Sequence, residues 1–215
     1  MRRAHPAATL STRRLEAFTD GVFAIAATLL VLDLTTSDLR PAPTDAALWE
    51  QLAHLGPVFL SFTISFLLLC MMWLQHVSVF EHVVAVDTPT IWMNSVRLFG
   101  IVLVPFTTSL TGQYSDLVLG RVLLPANFAF VIAVSYGQWL WLTRDGNDGV
   151  DVSPRQARLS RRNALSALLL ALLALALSPL LGPLAFLVYV FDGLLSRLLG
   201  GGDEDSEGPD ERGTA

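Results

Sequence analysis

Residues 14–34, RLEAFTDGVFAIAATLLVLDL, constrain the fold of this chain more than any other stretch. The run is apolar and long enough to cross a hydrocarbon layer about 30 Å thick as a helix. Yet Arg14, Glu16 and Asp20 open it and Asp33 closes it. A carboxylate one to two turns inside a membrane helix costs about 2.5–3.5 kcal/mol on insertion scales, a cost that serves no purpose in a helix that only anchors. Asp20 therefore needs a polar partner or water, and the segment is a candidate for function as well as for anchoring.

Apolar blocks of similar length recur along the 215 residues, of which 53% are hydrophobic and only 15% charged. A soluble domain carries about 25% charged residues, and barrel strands would show alternating segments of about ten residues. The expected fold is therefore an all-α polytopic membrane protein. Six transmembrane helices fit best: 15–34, 57–80 after the Gly56-Pro57 breaker, 90–111 after Pro89, 117–142 with Pro125 inside or at its start, 163–181, and a short 184–199 after the Gly182-Pro183 turn. This divides the chain into an N-terminal segment 1–14, a transmembrane domain 15–199 and an acidic tail 200–215 that is expected to be disordered.

Charge narrows the function classes. The net charge of −5 resides in that tail, where Asp203, Glu204, Asp205, Glu207, Asp210 and Glu211 outweigh Arg212. The remainder is balanced and shows no nucleic-acid footprint. Cys70 is the single cysteine, so no intrachain disulfide exists, and its plainest role is that of a small buried hydrophobe. Ser11-Thr12-Arg13-Arg14 faintly resembles a twin-arginine leader, but Glu16 and Asp20 interrupt the apolar core that would follow, so an uncleaved first helix is expected. Arginines cluster in the N-terminal segment (Arg2, Arg3, Arg13, Arg14) and in 143–162 (Arg144, Arg155, Arg158, Arg161, Arg162). Only Arg40 and Arg121 fall on the other side. The positive-inside rule then places both termini in the cytoplasm.

On a helical wheel of 3.6 residues per turn, Phe18, Ile25, Thr28 (or Leu29) and Leu32 fall broadly along one stripe of the first helix. Asp20, Ala24, Ala27 and Val31 fall on another with smaller side chains. Ala17 and Gly21 have the spacing that lets a second helix approach closely, so Asp20 is expected to point into packed protein. The Ile25/Thr28/Leu32 stripe suits ordinary packing or a hydrophobic constriction that gates by dewetting, and the pattern does not separate the two. Gln75, His76, Asn94, Arg97, Gln138 and Asp192 are further polar groups at membrane depth. Shared depth suggests an Asp20–His76–Arg97 cluster, serving as structural glue or in gating or proton sensing. No HExxH, phosphate-binding glycine loop, CxxC or GxSxG motif occurs, and His54, His76 and His82 lack metal-ligand spacing. No enzyme, cofactor or metal is expected. Ser135-Tyr136-Gly137 lies inside a span and is no TVGYG filter.

Arg14-x-x-x-Phe18-Thr19-Asp20-x-x-x-Ala24 resembles the RxxxFSDxxxA signature of the transmembrane protein 175 family of potassium channels. Trp73-x-x-His76 is similar to the WxxH pattern of its second helix. Trp92-Met93-Asn94 and VLVPFTTSLTGQY from Val102 to Tyr114 are similar to its third. The resemblance covers spans one to three in order; spans four to six match in hydropathy. It implies a homotetramer in the bacterial inner membrane, with the first helix of each subunit lining a central pore. Permeation would be by K+ with modest selectivity, set by hydrophobic layers and a threonine. By distance from Asp20 the constriction would be Ile25, followed outward by Thr28, Leu29 and Leu32. Arg14, Phe18, Thr19 and Asp20 would tie the first helix to its neighbours through Trp73 and His76. Thr19 stands where the family motif has serine, and Arg97 maps onto no family position.

The leading expectation is thus a potassium-permeable leak channel. A proton-coupled small-solute transporter with an Asp20–His76–Asp192 relay, and a non-conducting scaffold docking through its acidic tail, are the alternatives.

Overall fold

The computed structural model describes residues 11–34, 39–144 and 149–191. Seven α-helices account for most of them: α1 Thr12–Leu29, α2 Asp45–His54, α3 Gly56–Phe80, α4 Thr88–Val102, α5 Val104–Gln113, α6 Val118–Leu142 and α7 Pro154–Leu181. Short 3-10 turns extend α1 over Leu30–Asp33 and follow α7 over Gly182–Phe191. Among the described residues the only extended pairing is an isolated antiparallel bridge between Val83 and Val150. The protein is an all-α polytopic membrane protein.

Local chemistry sets most helix starts. Asp87 caps α4 by accepting from the Thr90 N–H, and Ser153 and Gln156 form a reciprocal capping box on α7. Proline stands in the first turn of α3, α4, α5 and α7, where its missing N–H has no intrahelical partner to lose. Pro125 lies inside α6 without ending it, as membrane helices tolerate. Gly182, at φ +55°, ends α7 with a backbone conformation that side-chain-bearing residues rarely adopt.

Five stretches are long and apolar enough to cross a membrane: Thr12–Leu32, Gly56–Phe80, Thr88–Gln113, Val118–Leu142 and Pro154–Tyr189. The third is two helices, α4 and α5. Pro105 donates no N–H and disfavours a helical residue before it, so the helix breaks at Leu103 and restarts. The loop expected over 35–56 contains α2. The helix expected from 163 begins nine residues earlier, at Pro154, which puts Arg155, Arg158, Arg161 and Arg162 on its first turns. The expected sixth span begins in the 3-10 segment; residues 192–199, Asp192 among them, lie outside the described residues, as do Arg2, Arg3 and the tail 200–215.

The main core gathers Phe23 and Leu30 of the first span, Leu69 of α3, Ile101 of α4, Val104 of α5, Leu124 and Phe128 of α6 and Ala174 of α7. A smaller cluster of Leu15, Phe80, Val83, Val86 and Leu142 closes one end of the bundle. At the opposite end Arg121 donates to the carbonyls of Ser115, Asp116 and Pro179, joining the start of α6 to the end of α7.

Candidate functional site

Helix α1 has two unlike faces. Leu15, Thr19, Phe23, Ala26 and then Leu30 are buried, a spacing of three to four residues that marks one side of a helix. The opposite side carries Arg14, Phe18, Gly21, Ile25, Thr28, Leu29 and Leu32, all exposed in the single chain. Phe18 and Ile25 are each 61% exposed and Leu32 67%. The four residues expected to form a constriction therefore share one outward face. Thr28 on it turns its hydroxyl back to the Ile25 carbonyl at 2.8 Å.

The buried face is held by a chain of hydrogen bonds. The Thr19 hydroxyl donates to the Leu15 carbonyl at 2.8 Å and accepts from Asn94 Nδ2 at 2.9 Å. Asn94 Oδ1 accepts from Arg97 Nη2 at 3.0 Å, and His76 Nδ1 lies 2.8 Å from the same nitrogen. A guanidinium only donates, so His76 Nδ1 accepts and the imidazole carries its proton on Nε2. Phe23 completes the arrangement: its ring lies 5.9 Å from the Arg97 guanidinium carbon and stacks 6.1 Å from His76. Phe80 packs at 4.1 Å from the same imidazole. Thr19, His76 and Asn94 are almost completely buried.

Asp20, one residue further round the helix, stands outside this chain. Its Oδ1 accepts from Trp73 Nε1 at 2.9 Å at a partly exposed position. The expected Asp20–His76–Arg97 cluster is thus corrected: His76 and Arg97 do meet, but Thr19 and Asn94 take the place assigned to Asp20. Residues 19 and 20 point about 100° apart on a helix, so only one of them can face α4. Arg14, Phe18 and Ala24 are exposed and not drawn into the network. Among the described residues no other helix approaches Gly21, where an added Cβ would meet nothing within 4 Å. The close approach expected at Ala17 and Gly21 does not occur among the described residues of one chain. Arg97, which fitted no family position, is the centre of the polar chain.

Asp87 and Trp141 were missed as a pair. Asp87 accepts from the Thr90 hydroxyl, from the Thr90 N–H at 3.0 Å and from Trp141 Nε1 at 3.0 Å, fastening the start of α4 to the end of α6. Arg144 stacks on the Trp141 ring at 3.4 Å. Partial burial works against the Asp87 charge, but the bonds from Thr90 and Trp141, with Arg144 nearby, outweigh it and hold the carboxyl below its ordinary range. The sequence Asp87-Thr88-Pro89-Thr90 is a helix-start signal; Trp141 carries no comparable mark. Among the described residues no group of His, Cys, Asp and Glu could hold a metal ion.

The model of the endosomal/lysosomal potassium channel TMEM175 family matches residues 14–105, which run from the exposed Arg14 to the break between α4 and α5. A potassium channel of Streptomyces collinus is 38% identical over 101 residues, 47% of this chain and 48% of its own length. One of Chamaesiphon minutus is 39% identical over 103 residues, 48% of this chain and 50% of its own. The chain thus spans about half the length of the curated relatives it matches. The crystal structure of a lysosomal potassium-selective channel TMEM175 homolog from Chamaesiphon minutus superposes with a TM-score of 0.71 at 29% identity, over 86% of this chain and 97% of that one. Over residues 14–105 the chain is similar to the TMEM175 family. The TMEM175 match takes in Thr19, Asp20, Trp73, His76, Asn94 and Arg97, whereas Trp139 and Trp141 lie beyond it.

Proposed function

We propose that this chain is a subunit of a potassium-permeable leak channel. Four copies assemble about an axis with α1 of each lining the pore, in a bacterial inner membrane with both termini cytoplasmic. The observation that carries this reading is the face of α1 left uncovered among the described residues, on which Ile25, Thr28, Leu29 and Leu32 lie together and outward while the other face is packed and hydrogen-bonded. The names of the bacterial relatives support the permeant ion.

Four Ile25 side chains meeting on an axis would form an apolar ring in which an ion must shed part of its hydration. Potassium holds its water less tightly than sodium, so such a ring favours potassium modestly and conducts without a carbonyl filter. Thr28 would present four hydroxyls next to the ring, and Leu29 and Leu32 the following layers. The chain Thr19–Asn94–Arg97–His76 and the Asp20–Trp73 bond would fix the rotation of α1, and with it which residues face the axis.

The test is a potassium-gradient flux assay on purified protein in liposomes, beside Ile25→Asn. Faster flux in the variant supports a pore on α1. Flux that does not respond to position 25 removes the pore from this helix, and no flux from intact oligomers turns the reading to the transporter or the scaffold.

A further inference from the structure

Helices α1 and α3 run antiparallel: Leu15 shares a cluster with Phe80, and further along α1 Asp20 is bonded to Trp73. Between the two helices the described residues leave a groove of about 360 Å³, lined by Asp20, Ala24 and Ala27 of α1 and by Leu69, Cys70 and Trp73 of α3. Sites of about 300–1,000 Å³ hold small organic molecules, so the space is of ligand size. It lies beside the outward face of α1 and not on it, since Asp20 and Ile25 project about 140° apart on a helix.

The two ends of the groove are unlike. Ala27 stands seven residues beyond Asp20, about 10 Å along α1 at 1.5 Å per residue, and Leu69 and Cys70 face that apolar end from α3. At the other end Asp20 is the single charged residue lining the groove. Its Oδ1 accepts from Trp73 Nε1 at 2.9 Å, in a bond that is itself exposed, which fixes carboxylate and indole at one place. A carboxylate accepts at about four lone-pair sites, so one indole N–H leaves room for further donors. Trp73 is 39% exposed, and an indole ring also attracts cations.

Charge complementarity selects the occupant. An anion would meet the Asp20 carboxylate, and a neutral molecule would leave it unanswered. A phosphoethanolamine lipid carries a phosphate next to its amine, which Asp20 would repel. We propose that the groove binds a soluble monoamine with an apolar body, its ammonium on Asp20 and its body along Ala24, Ala27 and Leu69. Such a ligand would brace α1 against α3. The site does not depend on the channel reading.

Cys70 is the single cysteine of the chain and stands in the groove wall as a free thiol, so it reports on the groove in the wild-type protein. The experiment follows its modification by intact-protein mass measurement in an uncharged detergent, using methanethiosulfonates with ammonioethyl, sulfonatoethyl and methyl groups. Relative to a free thiol in the same detergent, Cys70 should prefer the cationic reagent over the anionic one by about tenfold or more, as a charge-lined cleft concentrates counter-ions. Octylammonium should slow the uncharged methyl reagent several-fold, and octanol and octanoate at the same concentration should not. Asp20→Asn keeps an acceptor for Trp73 and removes the charge; it should abolish both the cation preference and the advantage of octylammonium over octanol. Should that variant fail to fold, the wild-type comparisons decide alone.

Three results overturn the site. Cys70 that is inert to all three reagents in the folded assembly would mean that another copy or another part of the chain covers the groove. A charge preference no greater than that of the free thiol would remove Asp20 from it. Protection by octanol equal to that by octylammonium would make the groove a seat for acyl chains. None of these readouts is a flux, so failure of this site and failure of the channel reading are distinguishable.

Discussion

At Thr19 a single hydroxyl joins two helices, donating within α1 and accepting from Asn94 on α4. Thr19→Val keeps the shape but leaves a buried amide N–H unmet, which costs about 1–3 kcal/mol. Thr19→Ser keeps both bonds and loses one methyl, for about 0.8 kcal/mol or less. Chemical unfolding of the detergent-solubilised protein should rank the two in that order; equal losses would mean that the methyl, and not the hydroxyl, matters. The Trp73–Asp20 bond is partly exposed, and Trp73→Phe should cost less than Thr19→Val, about 0.5–1.5 kcal/mol. Asp20 was legible in the sequence because a carboxylate in an apolar run has a cost that demands a partner. Thr19 was not, because a threonine in a helix reads alike whether it bridges to a neighbour or bonds back to its own turn, as Thr28 does. Arg97 and His76 were legible as polar groups at one depth. Their direct bond, and the link from Arg97 through Asn94 to Thr19, depend on which way α4 is turned, which spacing alone does not settle.

The starts of α3 and α4 were legible through Pro57 and Pro89, whereas the capping box of Ser153 and Gln156 went unread and the last long helix was expected only from 163. The break at Leu103 and helix α2 were harder to see: both lie in stretches whose average hydropathy suits another reading, a continuous span in one case and a loop in the other. Asp87 gives a prediction at this scale. Its folded carboxyl titrates below the unfolded value of 3.8, so its contribution is complete above that value and is lost as the pH falls through the folded pKa. Asp87→Ala should cost about 0.5–2 kcal/mol at neutral pH, as loss of an N-cap does. The gap to wild type should close on acidification below 3.8. A gap unchanged down to strong acid would show that the carboxylate charge contributes nothing. Gly100 tests the packing of α4 on α6. A Cβ there would collide with Val131 Cγ2 and come within 3.1 Å of Phe130 Cδ1. Val131 is fully buried and stiff about χ1, so Gly100→Ala should destabilise by about 1–3 kcal/mol, read by the same unfolding titration.

For the whole molecule, exposure in a single chain has two meanings that composition distinguishes. Over the apolar part of α7 the outward stripe, Leu165, Leu169, Leu172, Leu173, Ala176 and Leu180, holds only aliphatic side chains, as suits a face against lipid tails. The outward stripe of α1 mixes Phe18, Ile25 and Leu32 with Arg14, Gly21 and Thr28, a composition that a lipid contact would not select and that a path lined by copies of one helix would use. The same chemical change at the two sites should therefore act on different quantities. Ile25→Asn should raise potassium flux per reconstituted assembly by about tenfold or more, the effect of lowering the barrier at the constriction by about 1.4 kcal/mol. Leu172→Asn places an amide against hydrocarbon, where it finds no partner; it should lower the yield of folded protein while leaving the flux per assembly as in wild type. Native mass measurement in detergent supplies the denominator and should show four copies in both variants. Should Leu172→Asn change the flux and Ile25→Asn only the yield, α1 would be the lipid-facing helix and the conduction path would lie elsewhere in the bundle.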